Sequence, residues 1–222
     1  ENLDKVLFII ISKSGNTIET LTNTFLLNIL KKDSKNIIII SEKKNNFLFL
    51  LSRKLNLFYI EHNNCVGGRF SVFSEVGVIP AYLMGLNISK LRSQTLDFLK
   101  GKKKFFLRSS TTKLASLINS KRINNLIFLC YSSELKNFLF WCQQLIAESL
   151  GKQGKGFLPL VSNAPKDHHS LLQLYIDGPK NKLFHIFSLE EKSKQKINIK
   201  KFINKNNFLN KKTLDNVKYA QK

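Results

Sequence analysis

Val6-Leu7-Phe8-Ile9-Ile10-Ile11-Ser12-Lys13-Ser14-Gly15-Asn16-Thr17-Ile18-Glu19-Thr20 places an unbroken apolar run directly before small hydroxyl residues, a lysine and a glycine. The apolar run reads as a buried strand and the polar run as the loop that leads into a helix. The hydroxyls of Ser12, Ser14 and Thr17, a flexible Gly15 and the N–H groups opening the helix can converge on one dianion, with Lys13 close by. A Walker loop needs glycine, four residues, then Gly-Lys-Ser/Thr, and that order is absent here. The phosphate therefore belongs to a small metabolite. The same residue types also serve as an N-cap and strand-to-helix turn, and on this stretch alone both readings stand.

Outward from this stretch, strand-length apolar runs alternate with helical patterns. Lys5 to Ile11, Asn36 to Ile40 and Leu57 to Ile60 read as strands, and Thr17 to Leu30 and Asn46 to Leu55 as helices. This βαβαβ order predicts an α/β fold with a parallel sheet covered by helices, and a ligand beyond the carboxyl ends of the strands. Ser71 to Met84, Ser89 to Leu99 and Thr111 to Ser120 read as connecting helices, with Lys100-Gly101-Lys102-Lys103-Lys104 as an exposed break. A second unit follows: strand Leu126 to Tyr131, helix Glu134 to Leu150, strand Phe157 to Val161, loop Ser162 to Lys166, helix His168 to Ile176 and strand Lys182 to Ser188. The remainder is basic and weakly patterned. The domain reading is 1–105 and 106–222. Each half opens with a strand ending in serine, Ser12 in one and Ser132-Ser133 in the other, which suggests distant duplicates.

The chain has 222 residues and 43% hydrophobic content, enough for one large or two small cores. Its apolar runs fall far short of the roughly 20 residues of a membrane helix, and no secretory leader pattern opens it. Cys65, Cys130 and Cys142 fit reduced thiols better than disulfides or a zinc site, so the expected compartment is the cytoplasm. A net charge of +21 with 18 Phe could suit a nucleic-acid binder. The lysines are instead dispersed in short groups, and Lys, Asn, Ile and Phe are enriched together, as A/T-rich codons produce; neither nucleic acid nor membrane is expected as a partner.

Asn64-Cys65-Val66-Gly67-Gly68-Arg69-Phe70-Ser71-Val72-Phe73-Ser74-Glu75-Val76-Gly77 resembles the signature of the phosphoglucose isomerase family, sugar-phosphate enzymes built from two SIS domains. Ser12 to Thr20 is similar to that family's phosphate loop, Gln144 to Lys152 to its catalytic-glutamate helix, and Asp167-His168-His169-Ser170-Leu171-Leu172-Gln173 to its histidine segment. The resemblance implies two SIS-type three-layer αβα units and interconversion of glucose 6-phosphate and fructose 6-phosphate through a cis-enediol, with no metal or organic cofactor. It implies Glu148 as the general base, with Gln144 in contact with the substrate. Arg69 would hold enediolate charge, and Gly68 would let the backbone pass close to the sugar. Ser12, Lys13, Ser14 and Thr17 would bind the phosphate. The Asp-x-His-Ser-x-x-Gln pattern selects His169 over His168 for ring opening, acting in the neighbouring subunit of a homodimer. His62 and His185 have no motif around them.

The chemistry of the residue types agrees. A guanidinium keeps its charge while holding oxyanions, and two glycines before it let the chain approach a ligand. Gln144 and Glu148 are four residues apart and share one helix face. Taken without the resemblance, these are a glycine turn with a surface arginine, a solvated glutamate at a helix end and a histidine beside a helix start. The family's Gly-x-Gly-Gly-Ser segment and its Gln-x-Gly-Val-Glu-x-x-Lys segment are not found, so the chain is expected to be an excerpt. Lys218 and Lys222 lack the surrounding motif and take no role. Two other readings stay open: another SIS-domain sugar-phosphate isomerase, and a non-catalytic sensor of sugar phosphates, against which intact Glu148 and Arg69 argue.

Overall fold

A computed structural model describes residues 3–189 and divides the chain after Phe105 into two compact units. In unit 1, strands β1 (Phe8–Ile11), β2 (Ile37–Ser41) and β3 (Phe58–Glu61) form a parallel sheet in that order. The register sets Phe8 beside Ile37 and Ile38 beside Phe58. Parallel neighbours need crossovers, and helices α1 (Ile18–Leu26) and α2 (Phe47–Leu55) supply them. Ile10, Ile29, Ile37, Ile39, Leu48 and Leu57 are buried together as the core. Burial of such aliphatic side chains is the main force holding the helices to the sheet.

Local signals set the ends of these elements. The Asn46 side chain accepts the Phe49 N–H at 2.9 Å and caps α2, and Asn56 closes that helix in the left-handed region at φ 51°. α1 stops at Leu26, four residues before the expected Leu30, because Asn28 turns to φ 49°; the apolar continuation reaches the core from a loop, where Ile29 is buried. β1 begins at Phe8 rather than Lys5, after a short 3₁₀ turn at Leu3–Lys5.

The stretch expected as one helix from Ser71 to Met84 is two pieces, a 3₁₀ helix over Gly68–Phe73 and then α3 (Glu75–Leu83). Ser74 is extended between them. α4 (Ile88–Asp97) follows, capped by the Asn87 side chain on the Lys90 N–H at 2.9 Å. The expected break at Lys100 to Lys104 is corrected: α5 (Gly101–Asn119) begins inside it and contains Lys102, Lys103 and Lys104. Lysine is a good helix former, and these side chains are exposed, so a charge run here is a solvated helix face.

In unit 2 a central β4 (Asn125–Cys130) pairs in parallel with β5 (Leu158–Asn163) on one side and β6 (Lys182–Phe187) on the other. α6 (Lys136–Leu150) and α7 (His168–Ile176) are its crossover helices. Leu126, Phe128, Cys130, Leu139 and Phe157 make the core, joined by Leu114, Leu117 and Ile118 of α5. β5 takes Ser162 and Asn163 from the expected loop, since they pair with Leu129 and Cys130. Glu134 belongs to a 3₁₀ turn, Ser133–Leu135, that precedes α6. Gly151 ends α6, and a Cβ there would lie 2.5 Å from the Ala147 carbonyl oxygen. The basic segment expected after Ser188, with Lys218 and Lys222, lies outside the described residues from 190 onward. Among the described residues no helix is long and apolar enough to cross a membrane.

Candidate active site

The loop after β1 is built around its hydroxyl groups. Ser12 is buried at the strand end, and its Oγ lies 2.8 Å from Thr17 Oγ1. Ser14 Oγ lies 3.4 Å from the same Thr17 oxygen. The Gly15 N–H donates to Ser12 Oγ at 3.2 Å, and the Asn16 N–H donates to Ser14 Oγ at 3.3 Å. Ser12, Ser14 and Thr17 are thus brought together at the N-terminus of α1. Thr17 occupies the N-cap position without a side-chain bond to the helix, so its hydroxyl faces the other two. The three hydroxyls therefore form a cluster at the helix N-terminus, a place where the helix dipole favours an anion.

This loop is strapped to the loop after β2 and to the first turn of α2. Leu48 N–H donates to the Gly15 carbonyl at 3.1 Å, Phe47 N–H to Asn16 Oδ1 at 2.9 Å, and Glu42 N–H to the Lys13 carbonyl at 3.0 Å. Gly15 has φ +67°, and a Cβ there would fall 1.9 Å from Asn46 Oδ1, the atom that caps α2. Glycine is required on both counts.

The Lys13 ammonium extends from the loop after β1 to a neighbouring loop. It donates to the Val66 carbonyl at 3.0 Å and the Asn64 carbonyl at 3.3 Å, and it lies 3.4 Å from Glu42 Oε1. Glu42 is buried between Lys13 and Lys44. The Lys44 hydrogen bond, aided by Lys13, outweighs burial and holds the Glu42 carboxyl below its ordinary value.

The loop reached by Lys13 leads into Gly67, Gly68 and Arg69. Arg69 is half-buried, and its guanidinium lies 4.8 Å from the centre of the Phe70 ring. Ser71 Oγ donates to the Gly68 carbonyl at 2.6 Å, which ties down the 3₁₀ turn. Among the described residues a Cβ on Gly68 would meet nothing within 4 Å, so none of them requires glycine there. Gly77 differs, because a Cβ would lie 2.1 Å from the Val72 carbonyl oxygen, which locks the 3₁₀ turn against α3.

A histidine that no motif marks, His62, lies behind this loop. His62 is 1% exposed, its Nδ1 bonded to Glu75 Oε1 and its Nε2 3.1 Å from the Val66 carbonyl oxygen. Burial pushes the Glu75 carboxyl up, but its own backbone N–H, the His62 ring and the Asn63 N–H together bring it below the ordinary value. A histidine and a glutamate thirteen positions apart carry no spacing signal, so only the fold brings them together.

Unit 2 carries the remaining expected residues. Gln144 and Glu148 are exposed on α6, and Gln144 Nε2 donates to Glu148 Oε1 at 2.9 Å, as four-residue helical spacing requires. His168 and His169 open α7 and divide clearly. His168 Nε2 lies 3.2 Å from the Tyr131 hydroxyl oxygen, and the two rings meet edge to face at 5.5 Å. His169 is exposed. Asp167 positions the turn before them by accepting the Asn163 N–H at 2.7 Å.

The loop after β4 contrasts with the one after β1. Ser132 and Ser133 both donate to Glu134 Oε2, at 3.1 and 3.3 Å. The two serine hydroxyls are thereby engaged by a carboxylate within the loop itself.

The sequence of residues 1–157 matches the family model for phosphoglucose isomerase. A glucose-6-phosphate isomerase of Methanocaldococcus jannaschii is 36% identical over 200 residues, covering 82% of this chain and 47% of that protein. One from Campylobacter jejuni is 35% identical, covering 88% of this chain and 50% of that protein. The chain therefore spans about half the length of these relatives. Among solved structures, a hypothetical protein of Thermus thermophilus superposes with a TM-score of 0.78 at 27% identity, covering 98% of this chain and 55% of that one. A glucose-6-phosphate isomerase of Chlamydia trachomatis shares the fold at a TM-score of 0.59 and 21% identity, covering 84% of this chain and 40% of that one. The two helix-flanked parallel sheets are SIS-like, and the chain belongs to the phosphoglucose isomerase family.

Proposed function

We propose that the complete protein interconverts glucose 6-phosphate and fructose 6-phosphate, in the cytoplasm, as a homodimer. The observation that carries this reading is the hydroxyl cluster of Ser12, Ser14 and Thr17 at the start of α1, in a chain whose relatives are named for that reaction. The cluster anchors the phosphate and thereby fixes the sugar, which lowers the entropic cost of reaction. Lys13 stands at the rim of the cluster and ties it to the Arg69 loop. His169, supplied by the neighbouring subunit, assists opening of the sugar ring.

In the open form Glu148 takes the proton from C2 of the aldose, the electrons move to the carbonyl at C1, and a cis-enediolate results. The C2 hydroxyl then gives its proton to the C1 oxygen, and Glu148 returns its proton to C1 as the C2 oxygen becomes the carbonyl; the ketose results with every proton and electron pair retained and no outside oxidant. Gln144 holds the substrate beside Glu148, Arg69 stabilises the charge that develops on oxygen, and Gly68 leaves room for the sugar's approach.

The test is Glu148→Gln in the complete protein. With fructose 6-phosphate in a coupled assay, kcat is expected to fall by at least about a hundredfold while binding of an unreactive sugar phosphate changes little. A loss confined to KM would remove Glu148 from the proton-transfer role.

A further inference from the structure

The Val66 carbonyl is a junction. It accepts Lys13 Nζ at 3.0 Å from the phosphate-binding side and faces His62 Nε2 at 3.1 Å from the buried side. The loop it belongs to runs through Gly67 and Gly68 to Arg69, and two consecutive glycines give that segment little rigidity of its own. A mobile guanidinium is a poor electrostatic catalyst, because preorganisation supplies most of the benefit. The loop must therefore be held by contacts from outside it.

His62 is built to hold it. The ring is buried at 1% exposure, so its polar atoms find partners within the fold. Nδ1 is bonded to Glu75, at the first position of α3, and Nε2 faces Val66 four residues along the chain. Glu75 therefore ties the ring to the start of α3. The ring thus spans from α3 to the residue just before Gly67, and Gly77 keeps α3 packed on the 3₁₀ turn that carries Arg69.

We infer that His62 is a positioning residue for the isomerisation: clamped by Glu75, it fixes the Val66 carbonyl and through it the placement of Arg69. For its effect on rate this rests on the isomerase reading above. Its effect on the loop is independent of that reading.

Two amide replacements separate the two ring contacts. In His62→Gln the amide nitrogen can occupy the place of Nε2 and still donate to Val66, whereas in His62→Asn it stands nearer the place of Nδ1 and serves Glu75 only. Each is measured in the complete protein for kcat and KM with fructose 6-phosphate, and for amide hydrogen exchange over residues 63–73. Below the melting temperature of every variant, His62→Asn and His62→Ala are expected to lower kcat by about ten- to a hundredfold, with KM within about threefold. Exchange in the 63–73 segment should rise about tenfold, with Ile37–Ser41 unchanged. His62→Gln should restore most of the rate and most of the protection. Equal losses in the Gln and Asn variants, or unaltered exchange in both, would overturn the proposal. If wild-type protein isomerises no hexose phosphate, the functional reading fails while the exchange pattern still decides the clamp.

Discussion

The loops after β1 and β4 each follow the first strand of their unit in chain order and each carry a buried serine, Ser12 and Ser132, although β1 is an edge strand and β4 a central one. In one the hydroxyls face one another, and in the other a carboxylate accepts from them. In the first, Ser12, Ser14 and Thr17 hydroxyls face one another, a glycine at φ +67° makes the turn, and Lys13 adds positive charge. In the second, Glu134 accepts from both Ser132 and Ser133. Under the proposed function, the Glu134 carboxylate two residues beyond Ser132 would repel an anion that the loop after β1 would attract. In the proposed function, phosphate capture belongs to the loop after β1 and proton transfer to Glu148 of α6.

The strongest challenge to this contrast is Gly15→Ala. The added methyl meets the side chain that caps α2 and forces an unfavourable φ, so unit 1 is expected to lose roughly 2 kcal/mol or more of stability. Urea unfolding followed by a probe in unit 1 measures it. Wild-type stability would mean that the loop after β1 is looser than its contacts imply.

Acid sharpens the same division more gently. The folded-state values of Glu42 and Glu75 are both depressed, so the stability they contribute is present above the ordinary carboxylate value and is lost as pH falls through the lower folded values. The unfolding midpoint of unit 1 is expected to drop in that window, and Glu42→Gln with Glu75→Gln should flatten the dependence. An unchanged pH profile in the double variant would show that these carboxylates do not hold the loops.

The strands were legible because short β-branched runs such as Ile37 to Ile40 have few other uses, and the paired Gln144 and Glu148 followed from helical geometry alone. The chain's charge obscured other features. Lys102 to Lys104 read as a break although lysine prolongs a helix, and Ser132-Ser133 read as a counterpart of Ser12 because the effect of Glu134 depends on where its carboxylate folds back. The His62 contacts could not be read at all, since Glu75 and Val66 reach it only through the tertiary path of the loop. The family pattern separates His169 from His168 in sequence, and the Tyr131 contact adds that His168 is held in the fold while His169 is exposed.

The most direct measurement is calorimetric titration of an unreactive six-carbon sugar phosphate into two double variants of the complete protein, Ser12→Ala with Thr17→Ala and Ser132→Ala with Ser133→Ala. Loss of two hydrogen bonds to a dianion is expected to weaken binding by at least about tenfold in the first, while the second binds as wild type does. Undiminished affinity in the Ser12 and Thr17 variant, or an equal loss in both, would contradict the assignment of phosphate capture to the loop after β1.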